Sequence, residues 1–124
     1  MLTLFENITE ELTALEKNTM VPMLVDTLKY SSIDNPVKGK HIVGWFSASG
    51  YKTTDVRLRK MVSYIRQCCI LKDAVLCASS KGYYLSKDLS EIDNQIESIE
   101  GRRNQLNNVI EGLKAQRENI KHSQ

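Results

Sequence analysis

From Asp88 to Lys121 the chain contains no proline, and Ile92, Ile96, Ile99, Arg103, Leu106, Ile110, Leu113, Arg117 and Ile120 follow one another at alternating steps of four and three. That spacing puts nine residues on one stripe of a helix, the a/d seam of a coiled coil, with two arginines in it. Ser86 or Asp88 can cap the start. A helix of about 30 residues spans ~45 Å, more than a small domain needs for its own core. The seam therefore needs a partner. A second copy of the chain, bound through Ile92, Ile96, Ile99, Leu106, Ile110 and Leu113, is the simplest; the alternative is fold-back onto the N-terminal helix of the same chain. Gly101 and Gly112 each cost about 1 kcal/mol relative to alanine, so a bend or break is expected near them.

The rest of the 124 residues is distinguished by where its charge sits. Residues 36–87 carry ten Lys or Arg against two acids, a net of +8, while residues 1–35 are at −4 and residues 88–124 at −2. The modest total of +2 hides a strongly basic middle, the electrostatic footprint of a surface that meets phosphate. The expected organisation is an N-terminal helical segment over 1–35 packing on the core, a basic domain over 36–87, and the helix over 88–124. No apolar run is long enough to cross a membrane, and the acids of the first eleven residues do not suit a secretory leader, so a cytoplasmic protein is expected. Three cysteines, Cys68, Cys69 and Cys77, offer neither a CxxC pair nor an even framework, and read as small buried hydrophobes.

Within the first segment, Thr9 to Leu12 reads as a capped helix start, and Leu12, Leu15, Met20, Met23, Leu24 and Leu28 recur at helical spacing. Asn18, Thr19 and Pro22 predict a restart, because proline suits a first turn but not a helix interior. Tyr30 to Pro36 is a polar linker. After Lys38-Gly39-Lys40, the run Ile42, Val43, Trp45, Phe46 predicts a short helix ending at Ser49-Gly50, with both aromatics in the core. Thr53 or Thr54 then caps a second helix, Asp55 supplies the favourable charge of its first turn, and Leu58, Met61, Val62, Ile65 and Cys69 form its buried stripe. Asp55, Arg59, Lys60, Ser63 and Gln67 fall on the opposite side. Val75 to Ala78 and Tyr83 to Leu85 read as strands joined by a turn at Ser79-Ser80-Lys81-Gly82. The fold class is mainly α with a small β-hairpin: two helices about a tight turn, a hairpin with a lysine at its tip, and a long C-terminal helix.

The run from Gly50 to Arg66, followed by Ala78-Ser79-Ser80-Lys81-Gly82-Tyr83-Tyr84-Leu85, resembles winged helix-turn-helix DNA-binding proteins. It is most similar to small phage or prophage proteins whose recognition helix reads VRxxVNxLR and whose wing pairs a double serine with Gly-Tyr. Here Leu58-Arg59 fills the first Val-Arg pair and Ser63 stands for the Asn. The glycine usual after that helix is replaced by Cys68-Cys69-Ile70. The resemblance covers about residues 37–86 and implies that Arg59 approaches DNA from the recognition helix and Lys81 from the wing.

On that basis the partner expected is double-stranded DNA, met by a homodimer held through the C-terminal helix. Thr53, Thr54, Arg57, Arg59, Lys60 and Ser63 are the candidates facing the duplex, with Lys38, Lys40, Lys52 and Lys81 on phosphates. Arginine reads guanine through two hydrogen bonds, which makes Arg57 and Arg59 the specificity candidates. Asp55 is a helix-start charge or an acceptor for a cytosine amino group. Tyr83 either covers the core or touches the sugar-phosphate backbone. His41 has no second ligand at metal-binding spacing, no nucleophile has a base to activate it, and no phosphate loop is present, so neither a metal, a cofactor nor an enzyme is expected. A protein-binding adaptor on the same scaffold is the alternative function; it would not require the basic face of residues 54–67.

Overall fold

The computed structural model describes residues 11–123. The proposed helix start at Thr9-Glu10 lies outside them. Within them, Thr13 and Glu16 form a capping box: the Glu16 N–H donates to Thr13 Oγ1 at 3.1 Å and the Thr13 N–H to Glu16 Oε1 at 2.9 Å. The helix does not restart at Asn18-Thr19. It widens into a π-turn over Glu16–Met20, where the Val21 N–H donates to the Glu16 carbonyl, and runs on as α1, Val21–Thr27. Proline has no N–H and crowds the carbonyl one turn back, and the wider turn ahead of Pro22 makes room for it.

Two further helices, α2 (Gly39–Ala48) and α3 (Asp55–Gln67), flank a turn in which Gly50 takes φ +91°. The left-handed region suits a residue without Cβ. Thr54 caps α3, its Oγ1 accepting from the Arg57 N–H at 3.2 Å. Leu58, Met61, Val62 and Ile65 are buried against Ile42 and Phe46 of α2 and Leu12, Met20, Val21, Leu24 and Leu28 of the N-terminal segment, all in one core. Two expectations fail here. Trp45 is 51% exposed, because the buried side of α2 is set by Ile42 and Phe46, one turn apart, and Trp45 falls off that line. Cys68 and Cys69 are exposed; α3 stops at Gln67, and Cys69 itself takes the left-handed conformation, φ +51°. Cys77 is buried as expected.

Strands β1 (Val75–Ser79) and β2 (Gly82–Ser86) pair antiparallel, with Leu76 opposite Leu85 and Cys77 opposite Tyr84. Arg66 of α3 ties the hairpin down, its Nε donating to the Leu76 carbonyl at 2.8 Å. On the other edge, Val37 exchanges two 2.8 Å backbone hydrogen bonds with Tyr83. Gly82 sits beside that bridge at φ +142°, and a Cβ on it would lie 2.5 Å from the Val37 carbonyl oxygen. Only glycine satisfies both the backbone angle and the close approach.

The residues through Asp88 and those from Leu89 onward form two compact units. The second is α4, Leu89–Ser123, a single helix of 35 residues. It passes through Gly101 and Gly112 without the expected break: no proline interrupts it, and each glycine costs only about 1 kcal/mol relative to alanine.

Candidate nucleic-acid interface

The first turn of α2, the first turns of α3 and the hairpin tip enclose an open cleft. Lys38, Lys40, Arg59 and Lys81 line it, together with Gly39, Asp55, Ser79, Ser80 and Tyr83. Four cations from three elements thus converge on one concavity, with one acid among them. The N-terminus of α2 opens here without a side-chain cap, which adds the positive end of a helix dipole. Tyr83 is half-buried at the back of the cleft, and burial raises its phenol pKa above the ordinary value.

Arg59 stands at the centre of this arrangement. Its side chain is 68% exposed, and its guanidinium is held one helical turn from its own backbone by Asp55, with Nε donating to Oδ2 at 3.0 Å. That hydrogen bond raises the arginine pKa further, so the charge is permanent. An exposed pair one turn apart on a helix is screened by water and contributes little, so a phosphate or a guanine can take Arg59 over at little cost. Asp55 itself lies in the first turn of α3, where its charge also favours the helix.

Arg57 is elsewhere. Its Nε donates to Glu16 Oε2 at 3.0 Å and its Nη2 to Glu16 Oε1 at 2.5 Å, with the two side chains only 18% and 9% exposed. Another Nη2 hydrogen bond, 3.4 Å long, reaches the Glu11 carbonyl. The hydrogen bonds from Arg57, opposed by burial, hold the Glu16 carboxyl below its usual range, and those to Glu16 raise the Arg57 pKa. The geometry is a bidentate clamp between α3 and the N-terminal segment. Arg57 is thus held in a clamp with Glu16 and does not line the cleft, in contrast to Arg59. Nothing in the local sequence signals this, since the partners lie 41 residues apart.

The other candidates divide. Thr54 is exposed and uses its hydroxyl oxygen as the acceptor of the cap, which leaves its O–H free to donate, whereas the Thr53 hydroxyl is buried and has no hydrogen-bond partner among the described residues. Lys52 is exposed in the turn but does not line the cleft. Lys60 and Ser63 border a separate concavity on the other flank of α3, with Glu11, Lys17, Tyr64 and Gln67, and Gln67 Nε2 donates to Ser63 Oγ at 2.8 Å. Between the two flanks lies Val56, 43% exposed, a residue the sequence pattern passed over. An apolar side chain there can meet a thymine methyl. Its signal was available: Val56 lies outside the buried stripe of α3.

Along α4, Ile92 is half-buried, while Ile96, Ile99, Leu106, Ile110, Leu113 and Ile120 are exposed, Leu106 by 63%. Among the described residues no helix is long and apolar enough to cross a membrane, and no group of three or more His, Cys, Asp or Glu could hold a metal ion. No protein family, curated protein or solved structure matches the chain.

Proposed function

We propose that this chain is a double-stranded DNA-binding protein of winged helix-turn-helix type that acts as a homodimer through α4. The observation that carries the reading is the convergence of Lys38, Lys40, Arg59 and Lys81 on one cleft between helix and hairpin. Helices α2 and α3 stand as the helix-turn-helix, β1 and β2 as the wing, and the Val37–Tyr83 bridge as the vestige of a third strand. The outer side of α3 enters the major groove with Arg59 as the base reader and Val56 beside it, while the lysines hold phosphates from α2 and the wing.

Replacing Arg59 by Ala tests this. Specific binding should weaken by about 1–3 kcal/mol with thermal stability nearly unchanged, because Arg59 is exposed and its ion-pair partner is the likewise exposed Asp55 one turn away. A collapse of thermal stability makes Arg59 structural, and unaltered binding removes it from the interface. A protein that binds no duplex even at low salt leaves the adaptor function instead.

A further inference from the structure

We propose that two copies of α4 pair antiparallel, centred on Asn108. The inference rests on the dimer just proposed and adds its orientation. With the seam assigned, Ile96, Arg103, Ile110 and Arg117 occupy a positions, and Ile99, Leu106, Leu113 and Ile120 occupy d positions. In an antiparallel pair with this centre, Ile96 meets Ile120 of the second copy, Arg103 its Leu113, Leu106 its Ile110, and Ile99 its Arg117. Every layer then contains an aliphatic side chain, and no arginine faces an arginine. A parallel pair in register would stack Arg103 on Arg103 and Arg117 on Arg117, two like charges side by side in the core of the seam.

The flanking positions agree with the same centre. Residues 88–100 hold five acids and no base, whereas residues 101–124 hold five bases and two acids. Antiparallel pairing lays the acidic end of each helix on the basic end of the other. At the e positions it sets Asp93 against Lys121 and Glu100 against Lys114, each twice by symmetry, with Asn107 facing Asn107 at the middle. On the other flank it brings Val109 against Val109. Val109 is 57% exposed and lies outside the a/d stripe, so this pairing also covers an apolar residue that the seam alone leaves in water. Parallel pairing would match Lys114 with Val109 and Glu100 with Gln95, and would form none of these ion pairs. Within one helix the same charges make only long contacts, 3.8 Å for Glu100–Arg103 and 3.6 Å for Glu111–Lys114, which do not compete strongly.

The test measures a distance and a mass on the full chain. In a C68S/C69S/C77A background, H122C provides one spin-label site per chain on an exposed position away from the seam. Antiparallel pairing places residue 122 level with residue 94 of the second copy, 28 residues along the axis, so the two labels should lie ~42 Å or more apart. Light scattering on the same sample should give the mass of two chains. Two chains with labels under about 20 Å overturn the orientation and leave the dimer standing. One chain overturns the dimer itself. A second test keeps the native thiols: E100K and K114E each put like charges together at both of these contacts and should weaken self-association, and mixing the two variants should restore a dimer. Failure of the mixture to recover overturns the antiparallel pairing, since in a parallel dimer positions 100 and 114 are ~21 Å apart.

Discussion

Helices α3 and α4 carry the same kind of apolar stripe and meet opposite fates. In α3, Leu58, Met61, Val62 and Ile65 are at most 4% exposed, covered by α2 and the N-terminal segment. In α4, Ile99, Leu106 and Leu113 are between 41% and 63% exposed. Periodicity reports that a helix has a greasy side; what lies over that side depends on chain elsewhere. A stripe closed within one chain contributes to folding at any concentration. A stripe left open contributes only when something else covers it, and in the proposed dimer that contribution follows mass action.

The largest effect expected from that difference is on paired truncations. Leu58→Ala should cost about 3 kcal/mol or more, from lost burial and the cavity left behind. Leu106→Ala should change the unfolding of dilute protein by less than about 0.5 kcal/mol and act instead on the concentration at which dimers form. Denaturant titrations at two protein concentrations check both, and equal costs at low concentration would break the distinction. Next comes Gly82→Ala, which forces a Cβ against the Val37 carbonyl at a positive φ and should cost about 2–3 kcal/mol. Its disturbance should stay in the first unit, with the far-ultraviolet signal of α4 retained in partly unfolded protein.

Smaller, and dependent on pH, is the clamp between Glu16 and Arg57. Glu16→Gln should cost about 2 kcal/mol at neutral pH, less than for a fully buried pair because Arg57 keeps some contact with water. The carboxyl has a lower pKa folded than unfolded, so the stability it contributes is present above the ordinary carboxylate value of 4.5 and disappears as pH falls through the folded value. The native chain should therefore lose more stability than Glu16→Gln as pH falls below the ordinary carboxylate value. Parallel acid curves for the two would show the clamp to be silent.

Arg57 and Arg59 also mark the boundary of what is legible in the sequence. Local signals placed α3 well: a threonine cap, an acid in the first turn and four apolar residues at helical spacing locate Asp55–Gln67 within a residue or two. The hairpin was equally visible in its Ser-Ser-Lys-Gly turn, and the long helix in its seam. The direction of Arg57 was not, because a residue at the edge of the stripe turns toward whatever anion the distant chain supplies, and that anion is Glu16. Trp45 is exposed for a related reason: the apolar run of α2 offers more residues than one side can bury, and the core takes the line through Ile42 and Phe46. The continuity of α4 through two glycines, and the left-handed Cys69, show local preferences of about 1 kcal/mol being overruled by their surroundings. Of the ten residues expected to meet DNA, four share the cleft, and those four come from three separate stretches of sequence that only the fold brings together.

The most direct test of the DNA-binding claim is the salt dependence of affinity for a random-sequence duplex. With Lys38, Lys40 and Lys81 each neutralising one phosphate, log K should fall against log salt with a slope of about −2.7 per chain, and Lys81→Ala should reduce its magnitude by about 0.9. A chain that binds no duplex at low salt, or a slope that Lys81→Ala leaves untouched, contradicts the cleft as the site.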